Sequence, residues 1–209
     1  MSLHIGLLMI EGNHLPHLGE MLEGFSYHDT GNDREVVQWD EATNYLSNWM
    51  LTRSRVLKVA CFHQGWTVIF DPEMVMASDA DACQALSTTA QACVFGMICE
   101  GTSNTYAFNL FDGKKVRGYF SVDGEVFEDF GSPLPEESGL NSDRAYFEDD
   151  ILAIMQRIGV NYDEIINEST HFVVKELDEG DESPTELPPQ GVDTEDQIKP
   201  KKLWWQFWK

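Results

Sequence analysis

Val94-Phe-Gly-Met-Ile-Cys-Glu100, Thr105-Tyr-Ala-Phe-Asn-Leu-Phe111, Lys115-Val-Arg-Gly-Tyr-Phe-Ser-Val122 and Glu125-Val-Phe-Glu-Asp-Phe130 are four short apolar-rich runs whose spacing decides the fold. Asp112-Gly113 separates the second from the third, and Asp123-Gly124 the third from the fourth. Asp-Gly between alternating apolar residues marks a hairpin, because glycine adopts the positive φ that a tight turn requires. The stretch from Val94 to Phe130 is therefore predicted to be a four-stranded meander at the centre of the domain. Gly131-Ser-Pro-Leu-Pro-Glu136 follows it and ends the run of strands.

Upstream, residues 3–10 read as a buried strand, apolar at nearly every position and closed by Gly12-Asn13. Leu15, Leu18, Leu22 and Phe25 then recur at helical spacing, with Pro16 tolerated in a first turn. Residues 26–34 read as a polar loop. Val36, Val37 and Trp39 suggest a short strand, and Asp40 an N-cap for a helix bearing Tyr45, Leu46, Trp49 and Met50. Arg55–His63 and Trp66–Asp71 form a second hairpin around Gln64-Gly65, which Pro72 ends. Ser78 and Asp81 open a helix whose inward face is Ala82, Cys83, Leu86 and Ala90.

After Pro135 the pattern is helical. Ser142 or Asp143 is expected to start a helix whose apolar stripe is Phe147, Ile151, Ile154, Met155 and Ile158, and Gly159 stops it. The acids at 148–150 suit its first turn, where they complement the helix dipole. Residues 163–168 add a short helical turn, and residues 170–177 a last strand. The expected architecture is a single α+β domain over residues 1–176, an antiparallel-rich sheet with helices packed on one face. Composition changes at Glu176: from there to Ile198 the chain carries nine acids, three prolines and no lysine or arginine. Such a segment buries too little to order itself, so residues 177–198 read as a disordered acidic linker.

The formal charge of −22 over 209 residues repels phosphate backbones and anionic lipid, which excludes nucleic acid as a partner of the whole surface. It suits a basic protein partner. The four cysteines sit in apolar patterns and read as small buried hydrophobes, consistent with a reducing cytoplasmic setting. Glu11 cuts the N-terminal apolar run, which is too short for a signal peptide or a membrane span.

Several groups are candidates for chemistry. Lys199-Pro-Lys-Lys-Leu-Trp-Trp-Gln-Phe-Trp-Lys209 reverses the charge and polarity of the linker before it. Lys202, Leu203, Trp204, Trp205, Phe207 and Trp208 form its binding tip, with three docks open to it: a partner's groove, a membrane interface, or the chain's own acidic domain. Lys115, Arg117 and Tyr119 share a strand face by their period of two, giving either a basic-aromatic binding spot or a solvent-side guard on an antiparallel sheet. His14 and His17, with nearby carboxylates, suggest a metal-dependent hydrolase, set against exposed or capping histidines. No nucleophile elbow, phosphate loop or dinucleotide fingerprint occurs, and neither Glu125/Glu128 nor Glu136/Glu137 carries a sequence sign of a raised pKa. The sequence thus calls for no cofactor and no catalytic residue.

Phe111-Asp-Gly-Lys-Lys-Val-Arg117, Val122-Asp-Gly-Glu125 and Gly131-Ser-Pro-Leu-Pro-Glu136 resemble segments of small acidic bacterial domains of unknown function, some of them immunity proteins that bind toxins. The resemblance implies cytoplasmic residence and binding rather than catalysis, with a toxin as the basic partner. It carries no family site residues over to this chain.

Overall fold

The computed structural model describes residues 3–47, 56–140, 144–167 and 171–179. Trp49, Met50, Ser142, Asp143 and the tail-tip residues Lys202, Leu203, Trp204, Trp205, Phe207 and Trp208 lie outside the described residues.

The fold is α+β, built on one large antiparallel sheet. Its strands are β1 (His4–Glu11), β2 (Tyr27–Asp29), β3 (Arg34–Val36), β4 (Val56–His63), β5 (Trp66–Phe70), β6 (Val94–Glu100), β7 (Thr105–Phe111), β8 (Lys115–Val122), β9 (Glu125–Phe130) and β10 (Phe172–Glu179). The helices are α1 (Leu18–Leu22), α2 (Trp39–Ser47), α3 (Val75–Ser78), α4 (Ala80–Ala90), α5 (Glu148–Ile158) and α6 (Tyr162–Asn167). Along the sheet the order is β2-β10-β4-β5-β1-β6-β7-β8-β9, with β3 also paired to β10. The meander β6–β9 has the bounds its turns foretell. Asp123 and Gly124 sit at φ 49° and 81°, the left-handed pair that a two-residue hairpin needs.

Helices cover both faces of the sheet, which corrects the expectation of one covered face. Leu7, Leu8, Met9 and Ile10 have no exposed surface, so β1 is dry on both sides. Leu7 and Met9 pack with Ile151, Ile154 and Met155 of α5, Ile165 of α6 and Ala42 of α2. Leu8 and Ile10 pack instead with Leu18 and Leu22 of α1, Met76 of α3, and Cys83 and Leu86 of α4. An apolar run without alternation requires such double cover, because each successive side chain points to the opposite face.

Local signals shift elsewhere by a few residues. The loop expected over residues 26–34 contains β2, which gains its ladder only from β10: Tyr27, His28 and Asp29 pair with Glu179, Asp178 and Leu177. The last strand thus runs to Glu179, three residues past the change in composition. Trp39 belongs to α2 rather than to a strand, and its ring lies 4.7 Å from Phe70 and 5.6 Å from Phe172. Asp79, not Ser78, caps α4 by accepting the Ala82 N–H at 2.9 Å. The Asp150 carboxylate caps α5 from inside, accepting the Phe147 N–H at 2.9 Å, so the helix begins at Glu148.

Two lysines are buried against each other. Lys58 of β4 and Lys175 of β10 are direct cross-strand partners, a placement that like charges disfavour. Each is neutralised by its own pair of acids. Lys58 Nζ donates to Asp71 Oδ1 at 2.7 Å and Glu73 Oε2 at 3.0 Å, and lies 5.4 Å from the Tyr27 ring centre. Lys175 Nζ donates to Asp29 Oδ2 at 2.9 Å and Asp33 Oδ2 at 2.6 Å. Burial pulls the Lys58 pKa down, but Asp71, then Tyr27 and Glu73, more than offset it and leave it above the ordinary lysine value. Asp71 Oδ2 also accepts the Met76 N–H at 2.7 Å, which ties the start of α3 to the same charge. Gly6 lets this corner close, since a Cβ there would lie 2.2 Å from the Asp71 carbonyl oxygen.

The two lysines differ in what their loss would strand. Asp71 is wholly buried, whereas Asp29 and Asp33 side chains are 25% and 44% exposed. Lys58→Met is expected to cost about 3–5 kcal/mol in urea unfolding, the usual penalty for an uncompensated buried charge. Lys175→Met is expected to cost about 1 kcal/mol, because water reaches its acids.

Candidate functional site

β8 carries the basic residues, and its geometry departs from a simple period of two. Leu110 pairs with Arg117 while Phe111 pairs with Lys115, so Val116 is an extra residue, a β-bulge. One inserted residue reverses the side of everything before it. Arg117 and Tyr119 therefore face α5 with Phe108. Lys115 turns to the opposite face, where it meets Glu128 and the Phe130 ring at 5.7 Å and crowds Gly118. The expected three-residue face is corrected to two residues plus one behind the sheet.

Nor do Arg117 and Tyr119 guard a solvent side, since their exposures are 2% and 4%. The chain after β9 makes this burial possible. Gly131, at φ 83°, passes so close to β8 that a Cβ would lie 2.2 Å from the Val116 carbonyl oxygen. Pro133-Leu-Pro135 then leads into a 3-10 turn, Pro135–Glu137, which returns Glu137 to the guanidinium. Arg117 donates from Nε to Glu137 Oε1 and from Nη2 to Glu137 Oε2, both at 2.8 Å. Its Nη1 donates to Asp129 Oδ1 and to the carbonyls of Phe130, at 2.9 Å, and Gly118, at 3.2 Å. Tyr146 OH donates to Glu137 Oε2 at 2.9 Å, and the Leu134 N–H to Oε1 at 2.7 Å. The Tyr146 N–H donates to Tyr119 OH at 2.7 Å, and the two rings lie 4.6 Å apart.

A cleft of about 330 Å³ opens over this cluster, lined by Arg117, Tyr119, Val126, Asp129, Arg144 and Tyr146 among others. Arg144 stands at its mouth, 42% exposed, held by Asp150 Oδ2 at 2.7 Å. The electrostatics favour holding over reacting. Burial alone would raise the Glu137 pKa, but the bonds from Arg117, Leu134 and Tyr146 outweigh it and keep the carboxyl below its ordinary 4.5. Burial, then Glu137, pushes Tyr146 up to about 12. A carboxylate fixed in its charged form and a phenol fixed in its neutral form are poor proton shuttles near neutrality.

β9 is one end of the sheet path, with no strand on its outer edge among the described residues, and it mixes exposed apolar residues with the acids that usually guard an edge. Phe127 is 60% exposed, Phe130 49%, Val126 43% and Val116 37%. The Phe127 ring lies 5.7 Å from that of Phe120, tilted by 38°. Glu125, Glu128 and Asp129 lie between and beside these residues on the same strand. Sequence reasoning placed β9 but passed over this patch. The broken alternation of Glu-Val-Phe-Glu-Asp-Phe was its available signal. Glu137 had only the stiff Pro133-Leu-Pro135 lead to announce it.

The histidine pair falls in a 3-10 turn, Leu15–His17. His14 Nε2 lies 2.8 Å from the Glu11 carbonyl oxygen, and His17 is exposed. Among the described residues no three His, Cys, Asp or Glu side chains converge on a point that could hold a metal ion. All four cysteines are free. Burial pushes the Cys61 and Cys99 thiols up to about 12 and the half-buried Cys93 up to about 11. Among the described residues no helix is long and apolar enough to cross a membrane. No protein-family model, curated protein or solved structure matches the chain.

The depressed Glu137 pKa fixes a direction for acid stability. Its contribution is present above the ordinary carboxylate value and is lost as pH falls through the lower folded value. Glu137→Gln is expected to be about 3–5 kcal/mol less stable than wild type near pH 7, because Arg117 stays buried beside a neutral amide. That gap is expected to narrow as urea midpoints are followed below about pH 4.5. A constant gap would show that the charge of Glu137 contributes nothing.

Proposed function

We propose that this chain is a non-enzymatic protein-binding module that receives a basic partner on the β8–β9 edge. The observation that carries the reading is the exposed Phe127, Phe130 and Val126 group on β9, whose outer edge meets no other strand among the described residues and which bears Glu125 beside Glu128 and Asp129, the acids that hold Lys115 and Arg117. Apolar area supplies the affinity of a protein interface, and the surrounding carboxylates select a cationic partner and speed its approach. The charge of −22 extends that attraction beyond the edge. The buried cations support the same reading, since Arg117, Lys58 and Lys175 are each saturated by internal acids.

The sequence resemblance favours an immunity-like form of this role, with a toxin as the partner, and an adaptor is the broader form. Four free thiols raised by burial or neighbouring acids suit a reducing compartment such as the cytoplasm.

Affinity capture from the source cell, run in parallel with wild type, Phe127→Asp and Phe130→Asp, tests the proposal. A basic protein retained by wild type and lost from both variants is the expected result. Its association rate is expected to fall by about tenfold or more between roughly 50 and 500 mM salt. A rate indifferent to salt, or equal retention by all three proteins, would sink the reading.

A further inference from the structure

We infer that residues 199–209 of the same chain occupy the β8–β9 edge in cis, adding to β9 as a further strand; this rests on the edge being the binding surface proposed above. The argument begins with chemistry. The edge offers exposed aromatic and aliphatic side chains among carboxylates, so its complement is a segment both cationic and aromatic. Within this sequence one such segment exists: four lysines surround Leu203, Trp204, Trp205, Phe207 and Trp208.

A second copy of β9 is the obvious competitor for an unpaired edge, and its charge argues against it. Two such strands side by side would gather three acids from each copy along one seam, and the nearby cations Lys115 and Arg117 are already held by Glu128 and Asp129. The tail segment brings lysines to those acids instead. An added strand also alternates its side chains, sending Trp204 and Trp208 to one face and Leu203, Trp205 and Phe207 to the other. Both faces of the edge have apolar positions to meet them, with Phe127 and Phe130 behind the sheet and the Val126, Tyr119 and Tyr146 cleft in front. The ≈ 330 Å³ cleft is large enough for one indole.

Reach is sufficient. β10 ends at Glu179, and seven inter-strand steps separate β10 from β9 in the sheet order. At about 4.8 Å per step that is roughly 34 Å. Residues 180–198 span up to about 65 Å at roughly 3.4 Å per residue. Their six acids and no bases keep the tether from competing for the acidic edge. A tether of this length holds its tip at an effective concentration near the millimolar range. An intrinsic affinity of about 100 μM then gives about tenfold occupancy in cis. A basic partner must displace the tip, which sets a threshold on the partner's affinity.

Hydrogen exchange on the full chain reads this directly. The outward N–H groups of β9 are expected to exchange about tenfold more slowly in wild type than in a Trp204→Ala, Trp205→Ala, Trp208→Ala variant, matching the occupancy above. A synthetic peptide of residues 199–209 added to that variant is expected to restore the protection, and Phe127→Asp to abolish it. Equal exchange in wild type and the tryptophan variant overturns the inference. So does protection that rises with protein concentration alongside a dimer in light scattering, which would mark the tail of a second copy. The two proposals fail separately: partner capture that depends on Phe127, with β9 exchange indifferent to the tail, leaves the binding module standing and removes its occupant.

Discussion

A strand whose six central residues are buried on both faces constrains everything laid beside it. Leu7 through Ile10 exclude water completely, so β1 needs a ladder on both edges and helices above and below. The hairpin β4–β5 supplies one edge and the meander the other. The two sets of three helices follow from the same requirement. What distance from this seam leaves uncovered is the outer margin: by β9 every residue is exposed or half-exposed. The apolar margin is thus the place where the layers of helix run out, and the phenylalanines there remain available to something else.

Charge inside the molecule obeys a second rule, that among the described residues no cation is buried alone. Lys58, Lys175 and Arg117 each meet two carboxylates. Each of these ion sets also ties together segments far apart in sequence. Arg117 and Glu137 fasten the chain after β9 beneath the sheet, and Lys58 and Asp71 fasten α3 to β4. Saturated pairs of this kind give rigidity and unique geometry but leave little capacity for proton transfer.

The parts legible from sequence were those written within about ten residues of themselves. Asp112-Gly113, Gln64-Gly65 and Asp123-Gly124 specify their hairpins locally, and Gly159 ends α5 at φ 111°. The three-residue strand β2 was unreadable, and β3 was read only at Val36 with its bounds shifted, because their ladders come from β10. The Val116 bulge was equally hidden: an inserted residue has no compositional mark, yet it reverses the face of Lys115. Arg117 misled for a different reason. Charged residues are exposed by default, and only Glu137, twenty positions on and brought back by a proline turn, changes that. The double cover of the sheet was present in the unbroken apolar run of β1, though helix spacing alone did not reveal it.

The position of β10 has a consequence for synthesis on the ribosome. It fills the slot between β4 on one side and β2 and β3 on the other, yet it comes last in sequence among the described strands. Roughly 111 residues separate Cys61 of β4 from its partner Phe172, which at about 5–20 residues per second is a delay of about 6–22 s. During that interval the outer edge of β4 is bare, and Lys58, later entombed, faces water on that strand. A nascent chain therefore presents an incomplete sheet to its neighbours on the polysome, and a lysine there discourages them from pairing with it.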